Sequence, residues 1–499
     1  MTVLTNKLET IMKTLKLIFC ILWVSCIVPV HLVAQNKEVP VTTSSKEAKD
    51  FFLKGRDKLE NSEAIAATAL LDQAIQKDPN FALAYLYRSQ SGGGFNVYRK
   101  NLDKAVSLAG KVSEGERTEI LYYQAKSDGN GMKEKEYLDL LLKNFPSDKR
   151  IQMEAGTYYY GMNEYSKALE HLTKATELDK NFSPAYNMIG YCQSSLNNYK
   201  DAEKAFQSYI KLNPNRANPY DSYAELLLKM GKYDESIAQY KMAFEKDPVN
   251  FANSLLGVGH NYIFKGDYTS ARKYYQDCYD KSTMPGGKLN GLYWKAVSYL
   301  YENKADAAVK VFDDYRAFAE KENLTINSMM AYANQGEIFT ETGNPKEGMK
   351  YYEKAKDVIE KSKFSKVDME TFMTYSTLWQ CYALTANGDF EKAKTEEVKA
   401  KAKIEASKNH ADEMFLNSLM AYSAFKKGNY DEAIQYYSKS DNENPMIWYY
   451  QAMAYSKKGD KQNAAKLVEK IKKSNVNSLD LALVRNKALE SLSMEEPKK

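Results

Sequence analysis

Small, apolar and aromatic residues recur along this chain at the spacing of amphipathic helices, in pairs of short segments separated by a turn residue. In one clear copy, Gly190 lies on the first segment and Ala202 and Phe206 lie on the second. Asn197, between them, suits the left-handed conformation that ends a helix, and Pro214 cannot continue the second segment. The pattern predicts a pair of antiparallel helices.

The same unit returns about every 34 residues. Units begin near residues 48, 149, 183, 217, 252, 289, 329, 374, 414 and 445. Small residues at two fixed positions of each unit let the paired helices approach closely, and the aromatic residues around them fill the remaining space. The predicted packing positions are Gly156, Ala168, Gly190, Ala202, Ala224, Ser236, Gly259, Ala271, Ala308, Gly336, Ala393, Ala433, Trp448 and Ala464.

In this register the chain resembles the tetratricopeptide repeat (TPR) family, and Trp448 stands where that family prefers tryptophan. The resemblance covers most of the chain and is typical of bacterial exported members. It implies an all-α fold, a right-handed α-solenoid of antiparallel helix pairs (a TPR superhelix) with about ten to twelve repeats. Because each repeat contacts only its neighbours, a length of 499 residues indicates repeats rather than several globular domains.

The repeat spacing predicts four parts. Residues 1–34 form a signal peptide, and 48–282 form an N-terminal block with irregular helical hairpins at 82–148. Residues 288–478 form a C-terminal block with longer repeats, and 479–499 form a capping helix and tail. The two blocks meet at a segment rich in helix breakers, 283–291.

The N-terminal segment predicts export. Lys13 and Lys16 precede an apolar run, 17–30, that is too short for a membrane span. Cleavage before Gln35 would release the chain into the periplasm or the extracellular space. Met12 is a candidate true start, and lipidation of Cys26 is the alternative, which would give an outer-membrane lipoprotein.

Charge and chemistry point to no specialised partner or reaction. The 70 Lys and Arg residues nearly balance the 65 Asp and Glu residues, which argues against nucleic-acid binding. No catalytic, phosphate-binding or metal-binding motif occurs, and His171, His260 and His410 are isolated. We therefore expect no enzyme activity, no cofactor and no metal site.

The resemblance implies a binding groove. In the family, fixed first-helix positions face a concave surface that binds peptides or partner helices, and here those positions are both aromatic and polar. Asp221 and Glu225 stand where other members clamp a C-terminal carboxylate, which these acids would repel. The predicted groove residues are Tyr160, Asn187, Tyr191, Asp221, Glu225, His260, Tyr293, Glu337, Tyr382 and Tyr422.

The sequence therefore favours an exported, non-catalytic scaffold that binds a protein or peptide partner in its concave groove. One alternative is a glycan- or nutrient-binding accessory protein of the outer membrane built on the same frame. The other is a sensor or regulatory module that acts with a separate output protein.

Overall fold

The computed structural model describes residues 38–407 and 409–493, and this part of the chain contains 25 α-helices and no strand. The predicted signal peptide, 1–34, lies outside the described residues, as do Met12, Cys26 and the end of the predicted tail. The helices are α1 Lys46–Glu60, α2 Ala64–Lys77, α3 Ala82–Gln90, α4 Phe95–Leu108, α5 Glu114–Ser127, α6 Gly131–Asn144, α7 Lys149–Gly161, α8 Tyr165–Leu178, α9 Ser183–Ser195, α10 Tyr199–Leu212, α11 Asn218–Lys229, α12 Tyr233–Lys246, α13 Ser254–Phe264, α14 Tyr268–Lys281, α15 Pro285–Leu300, α16 Ala305–Lys321, α17 Thr325–Glu341, α18 Pro345–Lys361, α19 Lys366–Asn387, α20 Phe390–Ser407, α21 His410–Lys426, α22 Tyr430–Tyr437, α23 Pro445–Lys457, α24 Lys461–Lys473 and α25 Leu479–Ser493.

Consecutive helices pack in pairs from α1–α2 to α23–α24, and α25 follows the last pair. All fourteen of the small or aromatic packing positions named above are buried. The reason is visible at Gly190, where an ideal Cβ atom would lie 2.6 Å from the ring of Phe206. Gly336 has the same relation to Tyr352, also at 2.6 Å. The all-α solenoid predicted from the sequence is confirmed.

The turns inside the pairs use left-handed residues. Asn163 and Asn197 have φ values of 59° and 61°, and Gly231 and Gly266 have values of 75° and 78°. Asparagine and glycine tolerate this conformation best, so each ends a first helix and lets the second return beside it.

Helix length changes along the chain. The helices from α7 to α14 have 11 to 14 residues, whereas α17 has 17 and α19 has 22. Residues 82–148 form two further pairs, α3–α4 and α5–α6. One continuous hydrophobic core runs from Leu255 through Phe312 to Val484, passing the helix-breaker segment at 283–291.

Successive turns of the superhelix touch. The first turns of α4 meet the first turn of α19 and the loop before it. Arg99 Nε donates to Asp368 Oδ1 at 3.0 Å, and the rings of Phe95 and Phe364 lie 6.0 Å apart. Nearer the N-terminus, the backbone N–H of Ile65 donates to Asn250 Oδ1 at 3.0 Å. These contacts join residues far apart in sequence, so the solenoid is coiled tightly rather than extended.

The last helix folds back over the solenoid. Helix α25 packs against α23 and α24 of the final pair, and also against α15, ten helices earlier. Leu481, Val484 and Ala488 of this helix are completely buried. The final helix therefore covers the inner face of the central repeats as well as the end of the last one.

Within residues 38–407 and 409–493, no helix is both long enough and apolar enough to cross a membrane.

Candidate functional site

All ten predicted groove residues lie on the first helices of their pairs, and seven of them line two cavities of the inner face. The first, here called the Tyr191 cavity, has a volume of about 550 Å³ and is lined by Tyr160, Tyr191, Glu225 and His260. The second, the Glu337 cavity, has a volume of about 260 Å³. Its lining includes the other three, Glu337, Tyr382 and Tyr422.

The remaining three predicted residues line neither cavity. Asp221 accepts a hydrogen bond from the Ser254 hydroxyl, and burial raises the pKa of its carboxyl group to about 7. Tyr293 packs edge-on against the Trp294 ring at 5.0 Å. Asn187 has a buried side-chain oxygen with no hydrogen-bond partner among the described residues.

A tyrosine–carboxylate pair forms the centre of the Tyr191 cavity. The Tyr191 hydroxyl on α9 donates to Glu225 Oε2 on α11 at 2.7 Å. Glu225 keeps accessible surface, but the protein atoms around it displace bulk water and raise the pKa of its carboxyl group. Asp441 and Glu443 reach the same cavity from the loop before α23, so aromatic and acidic groups dominate this part of the inner face.

The segment 474–478, which leads into α25, forms one side of the Tyr191 cavity. Asn477 Nδ2 lies 2.9 Å from Nδ1 of His260, and the Tyr301 hydroxyl donates to Asn477 Oδ1 at 2.8 Å. The Tyr233 hydroxyl donates to Asn475 Oδ1 at 2.8 Å. Burial lowers the pKa of His260 to about 3, so this side chain is neutral at ordinary pH and takes part in the contact as a hydrogen-bonding imidazole.

The Glu337 cavity has an aromatic wall. The Tyr382 and Tyr422 ring centroids lie 5.0 Å apart, and those of Tyr422 and Tyr450 lie 4.8 Å apart. Trp379 stacks on Tyr352 at 6.2 Å. Helices α18, α19, α21 and α23 therefore supply a nearly continuous aromatic surface.

Three carboxyl groups lie at or beside this wall, in two different states. Glu341 has a cationic partner, because Lys487 Nζ lies 2.9 Å from its Oε2, and the Tyr450 hydroxyl donates to its Oε1 at 2.7 Å. Glu337 and Asp480 instead lie side by side, with their carboxyl groups close enough to hydrogen-bond to each other. Burial raises the pKa of both groups, and each carboxyl group also disfavours ionisation of the other.

Several lining residues were not predicted from the sequence, above all Asp480, Asn477, Trp379 and Tyr450. Asp480 belongs to the segment that the repeat pattern assigns to capping, and Asn477 lies at the very end of the predicted C-terminal block. In the sequence, Asp480 looks like one of the acidic residues that commonly occupy the first turn of a helix. Trp379 and Tyr450 fall among the many aromatic packing positions. Their place on first helices was the one feature of the sequence that could have identified them as lining residues.

No group of three or more His, Cys, Asp and Glu side chains in the described residues is arranged to hold a metal ion. Cys192, Cys278 and Cys381 are buried and unbridged.

Comparison with known families finds the repeat. A sequence model described as "Tetratricopeptide repeat" matches residues 150–182, 183–216, 252–280 and 331–361. A second model with the same description matches residues 418–475.

Individual proteins match only in part. The chain is 24% identical over 230 residues to a TPR repeat-containing protein of Methanocaldococcus jannaschii, and the match covers 37% of this chain and 40% of that protein. It is 27% identical over 164 residues to Superkiller complex protein 3 of Homo sapiens, and this match covers 31% of this chain and 10% of the human protein. The chain thus spans less than half the length of these curated relatives.

Solved structures align at low identity. A tetratricopeptide repeat protein from Parabacteroides merdae covers 57% of this chain and 99% of its own length, with 16% identity and a TM-score of 0.33. A structure titled as MamA covers 34% of this chain and 95% of its own, with 24% identity and a TM-score of 0.28.

Proposed function

The chain belongs to the tetratricopeptide repeat family, and from this we propose that it is a non-catalytic scaffold that binds a protein or peptide partner at its concave inner face. The observation that carries the proposal is the Tyr191 cavity. It is a water-accessible recess lined by aromatic side chains from successive repeats and by carboxyl groups from α11 and the loop before α23. A side chain of a partner can enter such a recess.

The chemistry of the cavity indicates the kind of partner. Glu225, Asp441 and Glu443 place three carboxyl groups around it, against one lining cation, Lys229. The Lys229 ammonium is held by the carbonyl oxygen of Ser194 at 2.8 Å. An aromatic and acidic recess suits a segment with apolar and basic residues, because aromatic groups supply contact area and the carboxylates supply complementary charge.

Two similar proteins have names that point the same way. Superkiller complex protein 3 and Anaphase-promoting complex subunit 3 are both named as components of protein complexes. Because the chain covers 10% and 22% of these proteins, their names support assembly with a partner and say nothing of its identity.

The proposal places the scaffold outside the cytoplasm, in the periplasm or beyond it. The basic residues Lys13 and Lys16, followed by the short apolar run at 17–30, support this location. Lipidation at Cys26 would instead hold the same scaffold at the outer membrane.

The test changes one tyrosine–carboxylate pair and spares another. The variant Tyr191→Phe/Glu225→Gln removes the hydroxyl and the charge from the cavity while keeping side-chain volume. The matched control is Tyr223→Phe/Glu203→Gln, because the Tyr223 hydroxyl donates to Glu203 Oε1 at 2.5 Å and this pair lines neither cavity.

Chains beginning at Gln35 are immobilised and exposed to the envelope fraction of the source cells, and the retained proteins are quantified by mass spectrometry. We expect the cavity variant to capture at least about tenfold less of the main partner than the wild type, and the control variant to capture as much as the wild type. Equal capture by wild type and the cavity variant would remove the Tyr191 cavity from the proposal. Retention of glycans rather than proteins would favour the accessory-protein alternative.

A further inference from the structure

We propose that the Glu337 cavity is a binding site for an organic ammonium group, held between the tyrosine wall and the Glu337–Asp480 carboxyl pair. The proposal goes beyond the scaffold function, since it concerns a different cavity and a ligand that need not be a protein.

The cavity has the size of a small ligand site. Its volume of about 260 Å³ exceeds the roughly 150 Å³ that accommodates benzene in an engineered protein cavity. A cation with a short alkyl chain therefore fits. The lining includes Met330, which is 36% exposed, and the partly exposed Asn334, so the cavity is accessible from solvent.

The aromatic wall suits a cation. The electron-rich faces of tyrosine and tryptophan rings attract ammonium groups, and several rings together form the aromatic cage that recognises alkylammonium ions. Tyr422 contacts both Tyr382 and Tyr450 on one wall, and Trp379 lines the same cavity.

The charge of the cavity is not balanced by the protein. Glu341, beside the cavity, has its own cation in Lys487. Glu337 and Asp480 have none among the described residues, and the polar partner of Asp480 besides Glu337 is the Asn444 amide, which donates to Oδ2 at 2.6 Å. Two partly buried carboxyl groups held against each other without a counter-ion form a site where a bound cation can replace a proton.

An unpaired hydroxyl group gives independent support. Tyr437 lines the cavity and is only 2% exposed, yet its hydroxyl has no hydrogen-bond partner among the described residues. A buried polar group without a partner costs stability, so its presence in a ligand-sized cavity points to a ligand or water that completes its bonding.

The groups facing the carboxyl pair determine its pH dependence. From the surrounding elements these are Glu341 on α17, Tyr293 on α15, Tyr352 on α18, Tyr382 on α19, Asp441 in the loop before α23, and Asn444. The acidic neighbours Glu341 and Asp441 add negative charge and disfavour ionisation of the pair. Binding of an ammonium ion should therefore release a proton and become tighter as the pH rises.

The experiment titrates the full chain beginning at Gln35 with n-butylammonium, tetramethylammonium and the neutral analogue butan-1-ol. Binding is followed by isothermal calorimetry in two buffers of different ionisation enthalpy. We expect one or both ammonium ions to bind at least about tenfold more tightly than butan-1-ol, with proton release and with affinity rising from pH 5 to pH 8. Failure of both ammonium ions to exceed butan-1-ol in the wild-type chain would overturn the proposal.

Variants test the assignment to the carboxyl pair. Glu337→Gln and Asp480→Asn should each weaken ammonium binding by about 10- to 100-fold and abolish the proton release. Glu370→Gln, an exposed change on α19 away from the cavity, should leave both unchanged. Unaltered binding by folded Glu337→Gln and Asp480→Asn chains would show that the ammonium ion lies elsewhere and would also overturn the proposal.

A further titration identifies the source of the ammonium group. Nα-acetyl-lysine N-methylamide presents the same ammonium group on a peptide backbone. Equal binding of this compound and n-butylammonium would assign the cavity to a lysine side chain of a partner, whereas binding of the free amine alone would assign it to a small metabolite. Neither result depends on the partner capture at the Tyr191 cavity, so the two proposals can fail separately.

Discussion

Replacing Gly190 by alanine tests the close approach of paired helices. The new Cβ atom would lie 2.6 Å from Cε1 and Cζ of Phe206, whereas carbon atoms in contact normally lie about 3.5–4.0 Å apart. Phe206 cannot swing away, because it is completely buried and packs edge-on against Tyr191 at 5.4 Å. The helices or the ring must therefore move by about 1 Å, and overpacking of this kind costs about 1–3 kcal/mol.

Gly161→Ala provides the matched control. Gly161 is also helical, but an added Cβ atom there meets nothing within 4 Å. Alanine favours a helix interior over glycine by roughly 0.5–1 kcal/mol. Gly190→Ala receives this gain in full and Gly161→Ala at most in part, because Gly161 is the last residue of α7, so the difference between them does not overstate the overpacking cost. We expect Gly161→Ala to be neutral or stabilising and Gly190→Ala to be destabilising relative to it.

Hydrogen exchange is the suitable assay, because a long repeat array does not unfold in one step. Amide protons of α9 and α10 should exchange about 5- to 150-fold faster in Gly190→Ala than in Gly161→Ala, which corresponds to 1–3 kcal/mol. A helix such as α19, many repeats away from the substitution, should be unaffected. Identical exchange in α9 and α10 of the two variants would refute the close-contact reasoning.

Two further predictions concern pH and location. Burial lowers the folded-state pKa of His260 to about 3, while its ordinary value is 6.5, so its contribution to stability should fall as the pH decreases from about 6.5 toward 3 and stay level above that range. Thermal melts of His260→Gln should lose less stability in acid than those of the wild type. An equal loss of stability in both would contradict the assignment. Cell fractionation should find the chain outside the cytoplasm with its N-terminus at Gln35, whereas labelled fatty acid on Cys26 would establish the lipoprotein instead.

The sequence predicts the local part of this fold well, because the local part is periodic. Gly190, Ala202 and Phe206 recur in register with their counterparts in other repeats, so the pairing of helices follows from spacing alone. The placement of groove residues on first helices follows from the same register. Their division between two cavities does not, since it depends on how tightly the superhelix is coiled.

The non-periodic contacts leave no such signal. The bond between Arg99 and Asp368 joins residues separated by 269 positions, and nothing in either local sequence identifies the other. The same holds for Asp480, which meets Glu337 only because α25 folds back over the central repeats. A single sequence reveals that α25 carries enough apolar residues to be buried, but not which surface it covers.

The fold-back of α25 also has a consequence for the order of events during synthesis. Repeats can fold as they leave the ribosome, because their contacts are local and of low contact order. The contact between His260 and Asn477, by contrast, spans 217 positions, so it can form only after most of the described chain has been made. Until then the nascent solenoid exposes its aromatic inner face to whatever chaperone, export factor or partner is present, and the docking of α25 ends that period.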